Sequence, residues 1–133
     1  MEETQLKSGR ILVIDDELDF LDSIKRGLLI AGYRNFMLLS QPLEIKGLLK
    51  SQSFDLVFID LCMPQMGGLE VLEYILKTAP QTKCILLTAL ADAVIAAQAL
   101  EMGAFDYLTK PISRDKLIST LNQVLEQPPA LAN

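Results

Sequence analysis

The sequence predicts a doubly wound α/β domain built on a five-stranded parallel sheet. Two observations carry this. Five short apolar runs rich in strand-forming residues alternate with five segments whose apolar residues recur at helical spacing. The connections between them are short, a pattern that implies parallel strands covered by helices on both faces, wound by right-handed crossovers. At 133 residues, half of them hydrophobic, the chain fits one domain with a real core.

The elements follow in order. Arg10 to Ile14 reads as a buried strand that ends in Asp15-Asp16-Glu17. A helix follows, with Leu21, Ile24 and Leu28 on one face, and stops at Gly32. Asp19 and Asp22 on that helix read as solvated. Asn35 to Leu39 is a weaker second strand, and Pro42 opens a helix that continues over Leu43 to Lys50 with Leu48 and Leu49 inward. Phe54 to Ile59 is the third strand, ending at Asp60. Pro64 to Gly68 is a loop by its Gly and Pro content. Leu69, Leu72 and Leu76 give the third helical face, and Pro80 breaks the chain. Lys83 to Leu87 is the fourth strand, ending at Thr88-Ala89, and Asp92 to Met102 is a helix closed by Gly103. Phe105 to Thr109 is the fifth strand, ending at Lys110-Pro111. Ser113 caps the last helix, whose inward face is Leu117, Leu121, Val124 and Leu125. The expected division is an N-terminal extension over 1–9, the domain over 10–126, and a tail or linker start over 127–133.

Composition excludes several functions. Twelve basic against seventeen acidic residues give a formal charge of −5 with no basic run, which argues against direct nucleic-acid binding. The chain has no histidine, which removes Ser-His and Cys-His catalysis and any histidine-bound metal. Cys62 and Cys84 lack the spacing of a zinc site, and Cys84 reads as a buried thiol. No apolar run is long enough to span a membrane. The polar stretch from Met1 to Lys7 is unlike a secretory signal, and the expected location is the cytoplasm.

Chemistry gathers at the strand ends. In doubly wound sheets the ligand sits beyond the carboxyl ends of the strands. Those ends here supply Asp15, Asp16, Asp60, Thr88 and Lys110. Each has an ordinary reading by itself. Asp60 could start a turn, Asp15 to Glu17 could favour a helix N-terminus, Thr88 is a common strand residue and Lys110 a common surface one. All of them at successive strand ends make those readings poor together. Three carboxylates in a small space repel one another, and a bound divalent ion relieves this most simply. All-oxygen ligands suit Mg²⁺ or Mn²⁺. A carboxylate nucleophile, a hard cation, an ammonium and a hydroxyl are what an in-line phosphoryl transfer to Asp60 requires.

The chain resembles the receiver domains of two-component response regulators. The resemblance runs from about Arg10 to Leu125 and rests on ILVIDDE, LVFIDLCMPQMGGLE, ILLTA and GAFDYLTKP. It implies a (βα)5 flavodoxin-like fold with strand order 2-1-3-4-5. It also implies that Asp60 is the phosphoacceptor, supplied by a histidine kinase or phosphotransfer protein. Asp15 and Asp16 would hold the ion with Asp60 and the backbone carbonyl of Cys62, Asp16 more directly and Asp15 partly through water. Thr88, Lys110 and the amide of Ala89 would contact the phosphoryl group. The bond before Pro111 would be cis. Tyr107 stands where the family keeps a switching aromatic ring.

The resemblance implies a phosphorylation-activated switch that assists its own phosphorylation and dephosphorylation and is not otherwise an enzyme. Phosphate on Asp60 would draw Thr88 inward and let Tyr107 turn, changing the face made by helix 4, strand 5 and helix 5. The fourth helix supports an output contact there. Ala93 to Ala97, Ala99 and Leu100 leave it little polar face, which suits a partner or a homodimer. Two alternatives remain open at this point. A Mg-dependent phosphohydrolase of the haloacid dehalogenase type also uses a strand-end Asp, but wants a second Asp where this chain has Cys62. A receiver-like binding module indifferent to phosphate is the other, although no key residue is missing.

Overall fold

The computed structural model describes residues 7–63, 66–89 and 93–125. The chain runs β1 (Ile11–Ile14), α1 (Leu18–Ile30), β2 (Phe36–Leu39), a single 3₁₀ turn (Pro42–Glu44) that leads into α2 (Ile45–Ser51), β3 (Leu56–Asp60), α3 (Gly68–Thr78), β4 (Lys83–Thr88), α4 (Ala93–Met102), β5 (Asp106–Thr109) and α5 (Arg114–Leu125). The sheet is five-stranded, in the order β2-β1-β3-β4-β5, and every pairing is parallel. This is the predicted fold class and strand order.

Alternation along the strands builds two cores from one sheet. Leu12, Ile14, Val57, Ile59 and Leu86 face one side, with Ile45 of α2, Val71, Leu72 and Ile75 of α3, and Ala99 of α4. Ile11, Val13, Phe58, Ile85 and Leu87 face the other, with Leu21, Ile24 and Leu28 of α1 and Leu117 and Leu121 of α5. Burial on both faces explains why β1, β3 and β4 read as continuous apolar runs. Each fully buried Leu or Ile contributes roughly 1.5–3 kcal/mol relative to exposure, so these strands anchor the domain.

Local rules set the ends. Gly103 adopts φ +125°, a conformation that side chains resist, and its N–H returns to the carbonyls of Ala99 and Leu100 to close α4. The Lys116 N–H donates to Ser113 Oγ at 3.1 Å, so Ser113 caps α5 as expected.

Several boundaries differ from expectation. The inward stripe of α3 is Val71, Leu72 and Ile75, whereas Leu69 and Leu76 are only half-buried. A stripe of i, i+1 and i+4 follows the 3.6-residue period more closely than the leucines alone. In α2 the anchor is Ile45, fully buried, with Leu48 and Leu49 at its flank. β3 includes Asp60, which pairs in register with Leu87, and β4 includes Thr88, which pairs with Thr109. Phe54, Asn35 and Phe105 precede their strands. Pro64 and Gln65 of the expected loop, Asp92 at the expected start of the fourth helix, the first six residues and the expected tail over 127–133 lie outside the described residues.

Candidate functional site

Parallel strands end together, and here their carboxyl ends carry the polar residues. β1 passes into Asp15, whose N–H donates to the Leu39 carbonyl of β2 at 3.0 Å. β3 ends in Asp60 and β4 in Thr88. β5 passes into Lys110, whose N–H donates to the Thr88 carbonyl at 2.8 Å. The backbone ladder thus fixes these four residues side by side. Asp60, Thr88 and Lys110 line a cleft of about 340 Å³ together with Asp16, Glu17, Cys62 and Ala89.

Carboxylate oxygens of Asp15, Asp16 and Asp60 all lie within 4.8 Å of one another. Asp15 is fully buried, Asp60 nearly so, and Asp16 is exposed. The Asp15 carboxylate accepts the Glu17 N–H at 2.9 Å, and Asp60 Oδ1 accepts the Cys62 N–H at 3.4 Å. Lys110 Nζ donates to Asp15 Oδ2 at 2.9 Å and to Glu17 Oε1 at 2.6 Å. It stands 3.8 Å from Asp60 Oδ1 and 4.5 Å from the centre of the Phe20 ring. The Lys110–Pro111 bond is cis.

Burial and the neighbouring charges both shift the acid groups of the site. Burial, then the neighbouring Asp15 carboxylate, pushes the Asp60 carboxyl up to about 7, against the opposing pull of Lys110. Burial likewise raises Asp15 despite its bonds from Glu17 and Lys110. For Lys110, burial acts to lower the ammonium, but the bonds to Glu17 and Asp15 outweigh it and hold it above its usual value. One ammonium for three clustered carboxylates leaves room for further positive charge. The donor set is all carboxylate oxygen, without imidazole or thiolate, which fits a hard divalent cation with water in its open positions.

The remaining predicted residues are placed as follows. Thr88 is buried, and its hydroxyl donates to the adjoining Ala89 carbonyl at 2.9 Å. Ala89 and Cys62 are exposed at the cleft. Tyr107 lies at the surface of β5, outside the cleft. Cys84 is buried in the core, where burial pushes its thiol up to about 12.

Three residues escaped the sequence reading. Glu17 reads in sequence only as part of an acidic run, yet it holds Lys110. Phe20 underlies the same ammonium. Gly68 reads in sequence as part of the loop, but it opens α3 against the end of β3, its N–H donating to the Leu61 carbonyl at 3.1 Å. Glu17 had a signal, a third acid beside the pair. The other two depend on packing between elements distant in sequence.

The family model described as the response regulator receiver domain matches residues 11–122. The chain is 39% identical over 117 residues to the alginate biosynthesis transcriptional regulatory protein AlgB of Pseudomonas aeruginosa, covering 88% of this chain and 26% of that protein. It is 34% identical over 115 residues to the transcriptional regulatory protein ZraR of Escherichia coli, covering 86% of this chain and 26% of that one. The chain thus spans about a quarter of the length of these curated relatives. A response regulator receiver domain protein from Clostridium thermocellum superposes with a TM-score of 0.82 at 34% identity, covering 90% of this chain and 95% of that one. NtrX from Brucella abortus superposes with a TM-score of 0.83 at 26% identity, covering 90% of this chain and 27% of that one. A carboxylate cluster at the carboxyl edge of a 2-1-3-4-5 parallel sheet and a family match over most of its length lead to one conclusion: the chain belongs to the response regulator receiver domain family.

Proposed function

We propose that Asp60 accepts a phosphoryl group from a histidine kinase or phosphotransfer protein and that this sets the state of the α4-β5-α5 face. The observation that carries the reading is the convergence of Asp15, Asp16 and Asp60 within 4.8 Å, with Lys110 beside them. Asp15 and Asp16, with Asp60 and the Cys62 carbonyl, would hold Mg²⁺, or Mn²⁺ in its place. That ion supplies charge neutralisation for the transferring phosphoryl oxygens.

The residues of the chain do the rest. An Asp60 carboxylate oxygen attacks phosphorus in line, a P–O bond forms, and the P–N bond to the donor imidazole breaks with its electron pair returning to the ring. The product is an acyl phosphate, which water later hydrolyses by attack at phosphorus with the Asp60 carboxylate leaving. Lys110 and the Ala89 N–H steady the phosphoryl oxygens. Thr88 leaves the Ala89 carbonyl to donate to the phosphoryl group, and Tyr107 turns into the space this opens. The consequence is a population shift at α4, β5 and α5 read by an output partner or a second copy. The relatives named as transcriptional regulatory proteins support an output in transcriptional control, and such an output would operate in the cytoplasm. The domain acts as a phosphoacceptor that assists its own labelling, not as a turnover enzyme.

The test is intact-mass measurement after incubation with acetyl phosphate and Mg²⁺. Wild type gains one phosphoryl group and Asp60→Asn gains none. No gain in wild type favours a binding module indifferent to phosphate, and rapid multiple turnover of p-nitrophenyl phosphate favours a phosphohydrolase.

A further inference from the structure

We infer that Glu17 is a positioning residue that tethers Lys110 in the unphosphorylated protein and so restrains phosphorylation of Asp60. The inference rests on the reading of Asp60 as phosphoacceptor and of Lys110 as its phosphoryl contact.

Glu17 occupies the residue just before α1, where a side chain ordinarily bonds a helix N–H. It makes no such bond. Its carboxylate turns instead to Lys110 Nζ at 2.6 Å, shorter than the 2.9 Å to Asp15 and far shorter than the 3.8 Å to Asp60. The backbone of Glu17 is itself held, its N–H bonded to Asp15 Oδ1 at 2.9 Å. Both acids that bind the ammonium therefore come from the segment after β1, and the Phe20 ring, 4.5 Å away on α1, backs them.

An exposed ion pair is ordinarily worth little, and the Glu17 side chain is 63% exposed. The lysine end differs, because its side chain is only 18% exposed and its ammonium is shared among acids. While it holds Glu17, Lys110 Nζ stands 3.8 Å from Asp60 Oδ1, and moving toward a phosphoryl oxygen on Asp60 draws it off Glu17. The tether therefore stabilises the starting state alone. Once Asp60 carries phosphate the bond is already released, so its loss leaves hydrolysis unchanged.

This split gives the test. Formation of aspartyl phosphate is followed at saturating Mg²⁺ over a range of acetyl phosphate concentrations, and hydrolysis is followed separately after the donor is removed. Glu17→Gln raises the maximal rate of formation roughly threefold or more while hydrolysis stays within about twofold of wild type. Asp19→Asn, which removes an exposed acid from the same helix, leaves formation near wild type, excluding a general relief of repulsion toward the donor. In a Lys110→Gln background Glu17→Gln gives no acceleration. In the metal-free protein, ¹⁵N spectra of the lysine side chains show the Lys110 ammonium signal shifting in Glu17→Gln and not in Asp19→Asn. Labelled wild type with an equal rate in Glu17→Gln, or the same acceleration without Lys110, overturns the tether alone. A wild type that takes no phosphoryl group overturns the phosphoacceptor reading and the tether with it.

Discussion

A Cβ placed on Gly68 would lie 2.5 Å from the carbonyl oxygen of Asp60 and 2.6 Å from the Cα of Leu61. No real side chain tolerates such distances, and both obstacles are backbone. The first turn of α3 thus rests directly on the end of β3. Gly68→Ala must push the helix or the strand end away and is expected to destabilise the domain by about 2 kcal/mol or more. The displaced backbone carries Asp60, so labelling by acetyl phosphate falls as well. Gly67 has open space around its Cβ position and negative φ, so Gly67→Ala is the control and stays within about 0.5 kcal/mol of wild type. Urea unfolding of the two variants decides the point, and equal midpoints would remove the close approach as a constraint.

Burial of Asp60, with the Asp15 charge beside it, makes the metal-free protein sensitive to pH. Asp60 rises from an ordinary carboxyl value of 3.8 to about 7 in the fold, chiefly through burial and the Asp15 charge. A group raised in the folded state favours folding while protonated. Its contribution is complete below about pH 4 and is lost as pH climbs toward 7. In EDTA, wild type should therefore lose roughly 2–4 kcal/mol relative to Asp60→Asn between pH 4 and pH 7.5. Mg²⁺ added at pH 7.5 should restore most of that loss in wild type and little of it in Asp60→Asn. Parallel stability curves for the two proteins across this range would show that Asp60 carries no such strain.

The sheet was legible because its three central strands are buried on both sides, and a run such as Leu56-Val57-Phe58-Ile59 can hardly be anything else. The site was legible for a related reason. Parallel strands share one carboxyl edge, so Asp15, Asp60, Thr88 and Lys110 could be gathered from their positions after apolar runs. What the sequence did not reveal is how the gathered groups partner. The choice of Lys110 for Glu17 at 2.6 Å over Asp60 at 3.8 Å is a matter of side-chain reach across two loops. The bond from Thr88 to the Ala89 carbonyl is likewise a rotamer choice that no spacing encodes. Gly68 illustrates a third limit, since a glycine needed for close approach looks in sequence like one needed for a turn.

The fourth helix supplies the last prediction. Ala96 and Ala99 pack inward and are fully buried, whereas Ala93 and Ala97 are exposed. Three of its larger apolar residues stay outside, with Val94 82% exposed, Ile95 38% and Leu100 40%. Tyr107 on the adjoining β5 is 37% exposed. Water gains nothing from this arrangement, and a partner surface would bury it. A second copy presenting the same face is the simplest occupant, because a two-fold contact sets one apolar patch against itself. Val94→Lys and Ile95→Lys together should leave the unfolding midpoint nearly unchanged, since both positions are exposed. They should weaken self-association of the phosphorylated protein by roughly tenfold or more, measured by sedimentation with acetyl phosphate and Mg²⁺ present. Leu43→Lys, at a position 62% exposed before α2, tests whether any exposed apolar residue would do. An unaltered association in the double variant, or an equal loss in Leu43→Lys, would remove the α4 face from the output.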